Sequence, residues 1–162
     1  EARRRLNGPP SADMPCQHVA GVMSFPLRPE RHMPMHSPSA TVHTLVAAMN
    51  RGDLDAALAC YATDAVFVAA PGQTVRTPAA IREAIGSLLA LKPILATIEE
   101  TIVEAGDTAL YHSAWTMRGH DPSGVNVSMA GRSSDVLRRH ADGHWEIVVD
   151  NPWGTAVLDP VD

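Results

Sequence analysis

The chain has 162 residues, a formal charge of −5 at pH 7 and 45% hydrophobic residues. That length suits one domain with a real core, and the acidic balance argues against a nucleic-acid or anionic-membrane surface, which needs a basic face. No apolar run approaches the roughly 18–20 residues of a membrane span, so neither nucleic acid nor membrane is an expected partner.

Residues 1–37 differ in kind from the rest. Prolines at 9, 10, 15, 26, 29 and 34 interrupt every candidate helix there, because proline removes a backbone donor and clashes with the preceding turn. This stretch reads as an irregular, flexible arm ahead of a single domain over residues 38–162. It holds no continuous apolar segment of the kind a secretory signal needs. Cys16 and Cys60 form no CxxC motif, so a reduced, cytoplasmic setting is expected, with one bridge left open. In His32-Met-Pro-Met-His36 the proline prevents a helical i, i+4 pair, and no metal or other cofactor is expected.

Ser37-Pro38 supplies an N-cap and a tolerated first-turn proline. Val42, Leu45, Val46 and Met49 then make an apolar helical stripe that Gly52 ends. Asp53 caps a second short helix carrying Leu54, Ala57, Leu58 and Tyr61. Ala65–Ala69 reads as a buried strand, and Thr77-Pro78 opens a third helix bearing Ile81, Ile85, Leu88 and Leu89. After Pro93 only strands are expected: 94–104, 108–119, 125–140 and the strand of Glu146. Three helices followed by an antiparallel meander predict an α+β fold with the helices on one face.

Asp142-Gly143 favours a two-residue hairpin turn. That register sets Arg139 against Glu146, Leu137 against Val148 and Asp135 against Asp150. Opposed carboxylates repel at about 4.5–5.5 Å, so the aspartate pair points to a site. A three-residue loop, or neutralisation by Arg118, Arg132 or Arg138, is the alternative reading. The same register puts Val136, Trp145, Ile147 and Val149 on the opposite face, which predicts a homodimer through the outer sheet face.

Arg51-Gly-Asp-Leu-Asp55, Cys60-Tyr-Ala-Thr-Asp-Ala65, Thr77-Pro-Ala-Ala-Ile-Arg82 and the Asp-Gly-x-Trp hairpin occur in this order and spacing. Together they resemble the nuclear transport factor 2-like superfamily, and within it the SnoaL-like and ketosteroid-isomerase-like small bacterial proteins, over about residues 39–158. The resemblance implies a cone of three helices on a strongly curved antiparallel sheet, a cystatin-like α+β barrel enclosing an apolar pocket, usually in a homodimer. The isomerase's general base would fall at about Ala69 and its oxyanion-hole tyrosine near Leu45; only its oxyanion-hole aspartate has a counterpart, Asp135. Steroid isomerisation is therefore not expected.

Two functions follow. One is a cofactor-independent proton-transfer enzyme (cyclase, isomerase or hydro-lyase) acting on a small apolar carbonyl or hydroxyl compound. Asp135, Asp150 and His112 would be its acid–base groups, with Tyr61, Phe67, Leu137, Val148, Trp115 and Trp153 as walls. The other is a non-catalytic dimeric binding or accessory module with the same pocket. Either parity of Leu110–Arg118 can face inward: His112, Ala114 and Thr116, or Tyr111, Ser113, Trp115 and Met117. The isomerase-like alignment favours the first.

Overall fold

A computed structural model describes residues 35–158; the arm expected over residues 1–37 lies outside them apart from its last three residues. The elements run α1 (Pro38–Arg51), α2 (Leu54–Leu58), β1 (Tyr61–Ala70), β2 (Gln73–Val75), α3 (Pro78–Leu89), β3 (Ile94–Ala105), β4 (Thr108–His120), β5 (Asn126–Arg139) and β6 (Trp145–Asp150), closed by a 3₁₀ turn at Gly154–Leu158.

The helix starts are set by local chemistry. The hydroxyls of Ser37 and Thr77 accept from the N–H of Ala40 and Ala80 at 3.1 and 3.2 Å, satisfying donors that the helix leaves unpaired. Gly52, at φ 70°, ends α1 in the left-handed region that costs glycine nothing. The second helix stops at Leu58, so Tyr61 is not its last turn but the first residue of β1. That strand is longer than Ala65–Ala69, and β2, absent from the sequence reading, pairs back on it past Pro71-Gly72.

The sheet order is β2-β1-β6-β5-β4-β3. Four of its five pairs are antiparallel; β1 and β6 are parallel. The expected antiparallel sheet is therefore mixed, because β6 returns from the meander beside β1 rather than turning back on it. Among the described residues the sheet is not closed, and β2 and β3 are its edge strands. Helix α1 packs on β3, β4 and β6 and α3 on β1, with Ile85, Phe67, Tyr111, Leu137 and Ile147 in the shared core. The Thr41 hydroxyl donates to the Trp145 carbonyl at 3.0 Å, pinning the start of α1 to β6. No helix among the described residues is long and apolar enough to cross a membrane.

The β5–β6 hairpin departs from its expected register twice. His140 N–H donates to the His144 carbonyl, leaving a three-residue loop, Ala141–Gly143, with Gly143 at φ 88°. Arg139 thus faces Trp145, and Leu137 faces Ile147. Val148 is then an extra residue in a bulge, after which Val136 faces Val149 and Ser134 N–H bonds to the Asn151 carbonyl. The bulge cancels the one-residue slip. Asp135 and Asp150 therefore lie side by side as expected, whereas Trp145 and Ile147 turn inward and are 2% and 1% exposed. They belong to the core, not to the outer face.

Candidate functional site

Between the helices and the sheet lies a cavity of about 130 Å³. Apolar residues of α1 and α3, such as Val42, Leu45, Met49 and Ile85, form one side. The sheet supplies Tyr61, Phe67, Trp115, Met117, Asp135 and Asp150. Of the expected wall residues, Tyr61, Phe67, Trp115 and Trp153 line it; Leu137 and Val148 do not. The Leu137 side chain is fully buried in the core, and the bulge removes Val148 from the aspartates' row.

The two tryptophans form a fixed corner. Indole N–H of Trp115 donates to the Pro152 carbonyl at 2.8 Å, and that of Trp153 to the Val68 carbonyl at 3.0 Å. Their rings meet edge to face at 6.5 Å, an arrangement aromatic quadrupoles favour. Gly131 lies opposite Trp115 on β5, and a Cβ there would sit 2.7 Å from the indole ring. The missing side chain is what lets the ring lie flat along the cavity wall.

Asp135 stands on β5, two residues from Ser133. Its Oδ2 accepts from the Ser133 hydroxyl and its Oδ1 from the Asn151 backbone N–H, both at 2.9 Å. Ser133 is also 2.9 Å from the Ser113 hydroxyl on β4. Asp150, the last residue of β6, accepts from the Tyr61 hydroxyl. Burial raises Asp135 to about 6 against the lowering effect of its two donors. Burial, and then the charge of Asp135, raise Asp150 to about 7. Burial and the neighbouring carboxylates also push the Tyr61 hydroxyl well above its ordinary value. No Lys, Arg or His is among the lining residues; Arg138 instead pairs with Asp64 at 2.8 Å.

This geometry has a direction. Asp135, with two hydrogen-bond donors, loses its proton first; Asp150, with one donor and an anion beside it, keeps its own longer. Between the two steps the pair holds one proton, giving an acceptor and a donor side by side. Two carboxylates are the only potential metal ligands among the lining side chains of His, Cys, Asp or Glu type.

His112 does not join them. It is exposed on the other face of β4, with Nδ1 2.9 Å from the Ser134 hydroxyl. The opposite parity of that strand faces inward: Tyr111 sits opposite Asp135, and Ser113, Trp115 and Met117 line the cavity. Sequence reasoning overlooked the Ser113–Ser133 hydroxyl pair and the Asn151 amide. The signal for Ser133 was present, since residue i−2 on a strand shares the face of Asp135.

The family profile described as the SnoaL-like domain matches residues 42–148. No curated protein matches the sequence. Among solved structures, a nuclear transport factor 2-like superfamily protein from Salmonella enterica serovar Typhimurium is similar at TM-score 0.63 and 18% identity, covering 75% of this chain and 92% of that one. A ketosteroid isomerase-like protein from Erwinia carotovora atroseptica gives 0.59 and 23%, over 69% and 88% of the two chains. A protein described as a candidate dehydratase of the same fold family, from Streptomyces avermitilis, gives 0.61 and 17%, over 69% and 89%.

Proposed function

The chain belongs to the SnoaL-like domain family, and on that premise we propose that its cavity takes a small, mostly apolar carbonyl or hydroxyl compound and moves a proton on it. One observation carries this reading: two buried carboxyls, both raised toward neutrality, share a cavity wall in which the described residues include no basic side chain. Perturbed titration in a concave apolar site is the physical mark of acid–base work.

Asp135 is the base in this scheme. It takes a proton from the carbon beside the carbonyl, while Asp150 gives its proton to the carbonyl oxygen, producing an enol. Return of the proton from Asp135 to another, conjugated carbon isomerises the substrate, and its delivery to a β-hydroxyl instead lets that group leave as water; in both cases the enol proton goes back to Asp150. Tyr61 holds Asp150 in place, and Ser133 and the Asn151 amide keep Asp135 the more acidic of the two. His112, on the outer face, has no part in it.

The test is deuterium exchange in D2O at carbons next to the carbonyl, across a panel of small apolar ketones, with ligand retention followed by native mass spectrometry. Exchange that is lost in Asp135→Asn and Asp150→Asn, both still folded and ligand-binding, supports the reading. Equal exchange in the variants overturns it.

A second reading, a binding or accessory module, is favoured by Leu45 and Ala69. Both line the cavity where the resemblance would place an isomerase's tyrosine and base. Ligand retention without any exchange would select it.

The homodimer is proposed on a different set of residues from the one the sequence suggested: Val136 and Val149 remain, and Val103 and Leu110 replace the buried Trp145 and Ile147. Val103, Leu110, Val136 and Val149 make one row across four strands. Val103 and Leu110 are 57% and 38% exposed. Sedimentation at micromolar concentration should give a dimer that Leu110→Glu dissociates; a wild-type monomer would refute it.

A further inference from the structure

The three-residue loop at Ala141–Gly143 brings His140 opposite His144, and their rings stack at 4.3 Å with only 4° between planes. Glu146, two residues along β6, lies on the same face as His144 and reaches both rings. His140 Nε2 is 2.6 Å from one carboxylate oxygen, and His144 Nε2 is 3.2 Å from the other. These donor atoms all lie within 4.8 Å of one another. The cluster faces away from the cavity, since Trp145 between His144 and Glu146 points into the core.

The far side of His144 is also built. Its Nδ1 is 2.5 Å from the Asp142 carboxylate, which also accepts the His144 backbone N–H. A carboxylate accepting Nδ1–H fixes the tautomer whose free electron pair sits on Nε2, on the side of Glu146. Two ring nitrogens beside one carboxylate call for a cation between them, either a proton or a metal ion. The nearest basic side chain does not fill that place. Arg138 bonds both oxygens of Asp64, at 2.8 and 3.1 Å.

We propose that this hairpin tip binds one divalent transition-metal ion of the zinc class, ligated by His140, His144 and Glu146 and supported by Asp142. Two imidazoles and one carboxylate suit zinc, nickel or copper, whereas calcium and magnesium require oxygen ligands. A tetrahedral ion with bonds of about 2.0–2.1 Å needs the two rings to turn out of their parallel stack so that both Nε2 atoms point at it, and leaves a fourth position for water. The ion displaces the protons now shared between the rings and Glu146, so acid weakens binding. The charged groups around the cluster are Asp142, Asp64, Arg138 and Arg139.

The experiment titrates the full chain with Zn2+ by calorimetry at about pH 7.5 and pH 5.5. One ion per chain is expected, bound at least about tenfold more weakly at the lower pH. His144→Ala and Glu146→Gln each weaken it by at least about tenfold, and Asp142→Asn by about tenfold through the ring it orients. Cys16, His18 and His32 are alternative ligands elsewhere. Undiminished binding in a folded H140A/H144A double variant, or no binding at all, overturns the proposal. Should the variants fail to fold, Cu2+ decides on a chain carrying His18→Asn, His32→Asn and His36→Asn: nitrogen coupling from two imidazoles in its paramagnetic resonance spectrum supports the site, and its absence defeats it.

Discussion

The β5–β6 hairpin carries acidic side chains at both ends, and the two ends treat them in opposite ways. At the cavity end, burial raises Asp135 and Asp150 toward neutrality. At the tip, Asp142 is held below its ordinary value by the backbone N–H and ring of His144, and His144 is raised in return. Residue type is the same; solvent and donors differ. The buried end keeps its protons to higher pH than free carboxyls do, while the tip keeps Asp142 ionised beside a more basic His144. The Val148 bulge lies between the two, so that each end keeps its own register.

The most demanding check of this contrast is chemical. Asp135→Asn or Asp150→Asn should lower exchange on a true substrate by about 10²–10⁴-fold, the usual worth of a positioned acid or base. Asp142→Asn at the tip should leave the rate unchanged. A comparable loss from the tip variant would erase the distinction.

A second check concerns stability against pH. The folded-state values of Asp135 and Asp150 lie above their unfolded values, so the folded state binds more protons. Their contribution is fully present below the unfolded value near 4 and is lost as pH rises through about 6 and 7. Urea unfolding should show the protein weaker at pH 8 than at pH 5 by on the order of 2–4 kcal/mol from this pair, at about 1.4 kcal/mol per unit. Asp150→Asn should flatten the curve and stabilise the protein at pH 8. A wild-type curve flat between pH 5 and 8 would show that the pair is not held in a dry site.

How far the sequence reveals this follows from which features are local. Helix starts at Ser37, Asp53 and Thr77 are local chemistry and were legible as caps. So was a turn at Asp142-Gly143. Loop length was not, because Gly143 in the left-handed region serves a three-residue loop as well as a two-residue one. The aspartate pair was predicted from a register that fails at the tip and is restored by a bulge with no evident sequence signature. The same miscounting hid the histidine cluster, since a two-residue loop sets His140 against Trp145. It also sent Trp145 and Ile147 to the wrong face. The parallel β1–β6 pair and the inward parity of β4 depend on long-range packing, and a resemblance to isomerases chose the wrong side for His112.

Gly131 offers a smaller test of the cavity end. Gly131→Ala puts a methyl 2.7 Å from the Trp115 ring, which is held by the Pro152 carbonyl and has little room to retreat. Overpacking of this kind typically costs about 1–3 kcal/mol. The expected result is a lower Tm together with weaker ligand retention, because the displaced indole is a cavity wall. Unchanged values for both would mean that the Trp115 corner is softer than its hydrogen bond implies.

The smallest effect is expected at the tip itself. Asp142 is lowered, so its stabilising contribution is present above the unfolded value near 4 and disappears in acid. His144 is raised, so its contribution is present below about 6.5 and disappears as pH rises past its folded value. The two overlap only in the mildly acidic window between those limits. Asp142 is exposed and His144 half-buried, their side chains 70% and 31% accessible, and salt screens such a pair. Asp142→Asn should therefore shift Tm slightly at about pH 5.5 in low salt, less at pH 8, where only the bond to the His144 backbone N–H remains, and hardly at all at about 0.5 M salt. With saturating Zn2+ at pH 7.5 the same variant should show a clear deficit, since the wild-type chain gains stability from the ion in proportion to its affinity. A large, salt-resistant loss without metal would mean that the tip is a folded-state anchor and not a site waiting for a cation.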